Sequence, residues 1–218
     1  MKECSKPIVI NDRSIDELKE LIKSYLTDKR YHHSICVMNE AERLGCIYIP
    51  EKINKLKVAA LLHDITKKAD FEKQLQYCRE FDIILDTDYL DSPEVLHAIT
   101  ATALAKRDFG DFVDDEILSA IRNHTTGNEN MTLFDTIIHL ADYIEESRVH
   151  DSCKTIRRHL YDKLDQGEDR LDALYDTMIC MFDNTISYLI EKGSVINKDT
   201  VAARNYFIKL RNSTETRG

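Results

Sequence analysis

Glycine and proline are scarce in this sequence, six and three in 218 residues. Sandwiches and barrels turn tightly and often and use more of both, so the scarcity argues against an all-β fold and for helices. Long apolar runs are missing too. No segment approaches the roughly 18 uninterrupted apolar residues of a membrane span. The N-terminus offers one apolar stretch of four, Pro7 to Ile10, too short for the apolar region of a secretory signal. No membrane association is expected, and a cytoplasmic location follows. The six cysteines, Cys4, Cys36, Cys46, Cys78, Cys153 and Cys180, include no C-x-x-C pair and are irregularly spaced. A zinc ribbon or disulfide framework is therefore not expected, and reduced core thiols are. Positive charge is in deficit: 30 Lys and Arg against 39 Asp and Glu, a net charge of −9. A nucleic-acid surface needs a basic face, so no nucleic-acid partner is expected. A phosphate-bearing ligand would need a positive pocket against this acidic background, and metal ions are the direct way to make one.

Apolar residues at 43% and charged residues at 32% describe a globular chain with a filled core. Helical periodicity runs through it. Ser14-Ile15-Asp16-Glu17 reads as a capping box ahead of Leu18, Leu21, Ile22 and Tyr25. A helix over about 29–44 turns Val37, Met38 and Ala41 inward and stops at Gly45. Pro50 opens a third helix through Leu62, and a shorter one holds Phe71, Leu75, Cys78 and Phe81. Ser92-Pro93 caps a helix reaching about Lys106. Acidic residues 114–116 start another that buries Ile117, Leu118 and Ile121 and ends before Gly127. Thr132 caps a helix carrying Leu133, Ile137, Ile138, Leu140 and Ala141. Later helices are expected over 152–164, 169–192 and 200–211, then a frayed tail. Residues 83–85 are the one strand-like stretch.

Six candidate metal ligands stand in order along these helices: His33, the pair His63-Asp64, His97, His124 and Asp142. Each has apolar neighbours at helical spacing that turn its face inward: Val37 and Ala41 after His33, the run VAALL before His63, Ile117 and Ile121 before His124, Ile138 before Asp142. A single inward histidine is more often a hydrogen-bonded core residue than a ligand. A carboxylate on an apolar face is different, because burying it is costly without a partner or a metal. Two such aspartates with four such histidines point to one site.

The order H…HD…H…H…D resembles the HD superfamily of metal-dependent phosphohydrolases. RYHHSICV (30–37), AALLHDITK (59–67), HAITATALA (97–105), EILSAIRNHTTG (116–127), IIHLADYIEESR (137–148) and VAARNYFI (201–208) resemble one branch, the bacterial symmetrical diadenosine tetraphosphate hydrolases. HTTG and ADYIE-x-x-R are what point to the branch. The resemblance implies an all-α HD-domain helical bundle with a dinuclear metal site in its core. It implies one domain over 1–218, with a core at about 14–192 and a C-terminal helical extension at about 195–212. It places His33, His63, Asp64 and Asp142 on one metal and Asp64, His97 and His124 on the second, with Asp64 bridging. It implies catalytic roles for Asp64, Lys67 and Arg148, and substrate contacts from Arg30, Lys67, Thr125, Thr126, Gly127 and Arg148. His32 competes with His33; the R-x-x-H spacing from Arg30 and the Val37 face favour His33. The bland readings stand beside these: Arg148 pairing with Glu145, Lys67 at a solvated helix end, and 125–127 as a plain helix-ending turn. His139 is read as a surface or partly buried histidine. Glu146 stands where proline is expected, which would alter the turn before Arg148.

Imidazole and carboxylate donors without thiolate suit iron, manganese, cobalt or nickel, and the resemblance favours iron. The implied reaction is attack of a metal-bridged hydroxide on diadenosine tetraphosphate, or a related dinucleoside polyphosphate, giving two ADP. The alternatives are another nucleotide phosphohydrolase of this type, such as a nucleotidase or cyclic-dinucleotide phosphodiesterase, and a nucleotide sensor without turnover. The broad helix faces leave room for a homodimer.

Overall fold

Most helices begin where a short polar side chain can accept from their first free N–H groups. In the computed structural model, which describes residues 10–215, Asn11 caps α1 (Asp12–Ile22) and Ser14 returns a bond to the Asn11 N–H as the third helical residue. Ser14 thus closes a capping box one turn earlier than expected, because Asn11 offers the better acceptor ahead of it. Thr27 caps α2 (Asp28–Tyr48). Residues 50–52 form a 3-10 turn into α3 (Ile53–Leu62). Asp70 caps α4 (Phe71–Glu80), and the short α5 (Thr87–Leu90) follows. A second 3-10 turn over 93–95 leads into α6 (Leu96–Asp108). Ser92 does not cap it; its hydroxyl donates back to the Asp88 carbonyl. Asp114 caps α7 (Asp115–Asn123), and Thr132 with Asp135 forms a box on α8 (Leu133–Ile144). α9 (Asp151–Asp165), α10 (Arg170–Glu191) and α11 (Lys198–Glu215) complete an all-α fold. Residues 212–215, expected to fray, continue α11, while Cys4, residues 7–9 and residues 216–218 lie outside the described residues.

Gly45 does not stop α2. A Cβ there would stand 2.7 Å from Leu56 Cδ1, so the glycine lets α2 run against α3, and the helix continues to Tyr48. Among the described residues there is no strand. Ile83 and Leu85 tuck against Tyr89, Leu96 and Ile99 while Ile84 faces solvent, an alternation that imitates a strand without a ladder. Among the described cysteines, Cys36, Cys78 and Cys153 are buried free thiols, Cys180 is half-buried and Cys46 is exposed.

α3 is the hub. Val58 to Leu62 are fully buried, and α3 packs on α1, α2, α7 and α8. Each Leu or Val so buried stabilises by about 1.5–3 kcal/mol relative to exposure. The same burial drives the end of α3 into the centre of the bundle. α11 packs along α10, and its Ala203 and Phe207 join the core that begins at Ile15. The C-terminal helices are therefore part of the fold's interior.

Candidate metal centre

The end of α3 delivers His63 and Asp64, both buried, to the middle of the helices. α2 brings His33, α6 His97, the end of α7 His124, and α8 Asp142. All four imidazoles are held through Nδ1. His63 Nδ1–H donates to the Ala60 carbonyl at 2.6 Å, His97 to Glu94 at 2.7 Å and His124 to Ile121 at 2.7 Å. Each acceptor lies three residues earlier, where a helix end or 3-10 turn leaves carbonyls free. His33 Nδ1 instead lies 3.0 Å from Glu145 Oε1. With Nδ1 occupied, all four Nε2 atoms are turned to the common centre, the arrangement by which proteins fix the tautomer of a metal-ligating histidine.

The carboxylates divide these atoms. Asp64 Oδ2 lies 3.8 Å from His33 Nε2 and 3.5 Å from His63 Nε2, while Asp64 Oδ1 lies 3.3 Å from His97 Nε2 and 3.6 Å from His124 Nε2. Asp142 Oδ1 faces the first pair, at 2.9 and 3.8 Å. His63 Nε2 is buried without a hydrogen-bond partner. Three overlapping groups, His33–His63–Asp64, His63–His124–Asp142 and Asp64–His97–His124, have ligand atoms within 4.8 Å of one another. The orphaned nitrogen, the divided carboxylate and the thiolate-free donor set all fit divalent metal ions.

Cations surround this cluster. Arg30 Nη1 is 2.8 Å from Asp64 Oδ2, Arg148 Nη2 is 2.7 Å from Asp142 Oδ1, and Lys67 Nζ is 3.1 Å from His97 Nδ1. Burial would raise both aspartates, but the histidines around Asp64, and Arg148 with His33 beside Asp142, hold them well below the usual carboxylate range. Burial would lower His33, but Asp142 and Glu145 win and raise it to about 9. Burial lowers His97 and His124, with Lys67 adding to the effect on His97, so their Nε2 lone pairs stay free. Lys67 is itself lowered by burial, against the pull of Asp64 and Asp142.

The structure brings the six candidate ligands, Arg30, Lys67 and Arg148 together. His32 is exposed and turned away, its Nε2 3.6 Å from Cys36 Sγ. Thr125 joins the cluster, with Oγ1 3.1 Å from His97 Nε2 and 3.0 Å from His124 Nε2. Thr126 and Gly127 do not. Thr126 is buried, and Gly127, at φ +66°, presses on α10 and α11: a Cβ there would stand 2.7 Å from Ala203 Cβ and 3.0 Å from Phe182 Cζ. These two residues turn the chain into the core, and of residues 125–127 it is Thr125 that reaches the cluster. His139 is not at the surface. It is 6% exposed, donates from Nδ1 to the Asn123 carbonyl at 2.9 Å and lies against Phe182. It props the backbone that carries His124. Glu146 leaves the turn intact: it is exposed, and Arg148 N–H still closes on the Glu145 carbonyl at 3.0 Å.

Two positioning groups escaped the sequence reading. Glu145, fully buried, orients His33 and accepts from the Ser147 N–H and hydroxyl. Its signal was present: a third carboxylate three residues after Asp142 in an apolar stretch. Thr66 donates to the His97 carbonyl at 2.9 Å, and Gln74 of α4 donates to the Thr66 carbonyl at 2.9 Å. That chain ties the loop after Asp64 to α6.

A helical bundle converging imidazoles and carboxylates at its core defines the class. The HD-domain family model matches residues 30–147, and the chain belongs to that family. The branch is given by relatives that match nearly end to end. A symmetrical bis(5'-nucleosyl)-tetraphosphatase of Staphylococcus aureus is 33% identical over 89% of this chain and 94% of its own length. One of Halalkalibacterium halodurans is 34% identical over 87% and 94%. The crystal structure of a protein described as a predicted HD superfamily hydrolase involved in NAD metabolism, from Clostridium acetobutylicum, superposes with a TM-score of 0.78 at 35% identity, covering 89% of this chain and 96% of that one.

Proposed function

We propose that this chain hydrolyses diadenosine tetraphosphate and related dinucleoside polyphosphates symmetrically, to two ADP. The observation that carries the reading is Asp64, which directs one oxygen to each of two histidine pairs with three cationic side chains around them. Relatives over most of the chain bear the name of that activity. His33, His63, Asp64 and Asp142 would hold one divalent ion, and Asp64, His97 and His124 the second. Bound there, two ions supply positive charge to phosphoryl oxygens and a water that ionises near neutral pH. Iron is the proposed resident metal, supported by the imidazole–carboxylate donors; elemental analysis of protein purified under reducing conditions tests it.

The chain's own part is positioning and charge. Arg30 and Arg148, each with about a third of its side chain exposed, hold guanidinium groups at the rim of the cluster, where they pair with phosphate oxygens. Lys67 adds a half-buried ammonium beside His97. Water oxygen bonds to one inner phosphorus, the central P–O–P bridge breaks, and each half departs as ADP with the displaced proton passing to solvent. ADP is stable as an anion, so no strong acid need protonate it. The proposal is of one domain over the whole chain, cytoplasmic and homodimeric. Among the described residues no helix is long and apolar enough to cross a membrane. Cell fractionation and sedimentation test location and assembly.

The decisive experiment separates the products of metal-loaded protein and diadenosine tetraphosphate. ADP alone is expected. ATP plus AMP would reject symmetrical cleavage and keep a metallohydrolase. Binding without turnover under any metal would make the chain a nucleotide sensor.

A further inference from the structure

Two cavities open beside the metal centre, and they share a wall. One, of about 790 Å³, lies between the 3-10 turn before α6 and the C-terminal half of α10; its lining includes Val95, Thr125, Lys192 and Val195. The other, of about 620 Å³, lies between the turn after α8 and α10; its lining includes Tyr143, Arg148 and Ser187. Thr185 and Tyr188 line both. Each cavity meets the centre at a different end. Thr125 touches His97 and His124, and Arg148 touches Asp142. A third cavity, beside Lys67 and His97, is about 270 Å³, below the roughly 300–1,000 Å³ typical of ligand sites.

The charge pattern says which part of a substrate goes where. Arg30, Lys67 and Arg148 surround the centre. The outer cavities carry carboxylates, Asp91 and Glu94 on one and Asp151 and Glu191 on the other, with Lys192 the one lysine between them. Carboxylates repel phosphate and accept from neutral hydroxyl and amino groups. Between the cavities stands Tyr188, 57% exposed on the C-terminal half of α10, with Lys192 Nζ 5.7 Å from its ring centroid. A base stacks on such a ring without sequence preference.

Resting on the function proposed above, we infer that these cavities are the two nucleoside subsites, with Tyr188 as the shared stacking wall. Symmetrical cleavage then follows from their placement. Two nucleosides seated on either side of the centre put the middle of the phosphate chain at Asp64. Tyr188 is a substrate-binding residue shared by both subsites.

The test is equilibrium binding of ADP to the metal-loaded protein, run beside turnover of diadenosine tetraphosphate. Wild type is expected to bind two ADP per chain. Val195→Trp, filling the larger cavity, and Ser187→Trp, filling the smaller, should each bind one; both positions are exposed, so the fold tolerates the ring. Tyr188→Ala should weaken both sites by about tenfold or more and raise KM for the dinucleotide with little change in kcat. One ADP per wild-type chain, or tryptophan variants that bind like wild type, overturns the subsites. If turnover stays symmetrical while the variants change nothing, the function stands and the subsites fall. If two ADP bind with no turnover, the subsites stand and the function falls.

Discussion

The two halves of the metal centre are built on opposite electrostatic principles. On one side His33 stands between Asp142 and Glu145, and two carboxylates raise it to about 9. On the other side His97 and His124 are lowered by burial, and their Nδ1 atoms are held by backbone carbonyls. Behind them the prop is also neutral, His139 on the Asn123 carbonyl. One half is a charged network tuned by side chains; the other is a set of neutral rings fixed by helix ends. Asp64 joins them. The difference teaches that an uncharged imidazole can be aimed by geometry alone, whereas the half exposed to Arg148 and to substrate uses charge to hold its ligand.

Asp64→Ala breaks the comparison altogether, since one carboxylate serves both halves. It should abolish turnover and strip both ions, read by activity and elemental analysis together. Full activity with normal metal content would sink the assignment. Next come variants that dismantle one half. His33→Ala should lose the ion of the charged half and His124→Ala that of the neutral half, each leaving about one ion per chain. Loss of both ions from either would show that the halves are not separable.

Acid should distinguish them further. Burial pushes His139 down to about 4, below its unfolded value of about 6.5. The unfolded chain therefore takes up the proton first as pH falls. Stability from the neutral ring is complete above about 6.5 and is lost between there and about 4, by roughly 3 kcal/mol. Urea unfolding across that range should show a steep acid limb that His139→Asn flattens, because its amide can still donate to the Asn123 carbonyl without taking a proton. An unchanged limb would remove His139 from the account. The smallest expected effect is on the charged half. Glu145→Gln keeps the shape and removes the charge behind His33, and loss of such a partner costs about 10–100-fold in metal affinity. The His33 ring should titrate lower by NMR while His97 and His124 stay as they were; movement of all three would contradict the division.

The fold was legible wherever one helix answers to its own residues. The Thr132 cap, the acidic start at Asp114 and the apolar run of α3 are local features, and the helices stand where they predict. Misreadings arose where a neighbour decides. Gly45 looks like a stop until Leu56 is seen against it. The place of Gly127 against Ala203 and Phe182 is likewise set by α10 and α11 and not by its neighbours in sequence. His139 looks superficial because nothing in the sequence around it announces Phe182 or the Asn123 carbonyl. Glu145 was read only as a partner for Arg148, because His33, the ring it orients, is 112 positions away.

By itself, then, the sequence determined an all-α chain and six inward-facing groups of metal-ligating chemistry. Helix periodicity and the cost of burying a carboxylate are local enough to be read along the chain. Tertiary structure alone decided how Asp64 divides its oxygens, which cations face which ligands, and that two cavities meet at Tyr188. Those depend on the packing of α2, α6, α8 and α10 around the end of α3, and no local pattern carries the angle at which one helix crosses another.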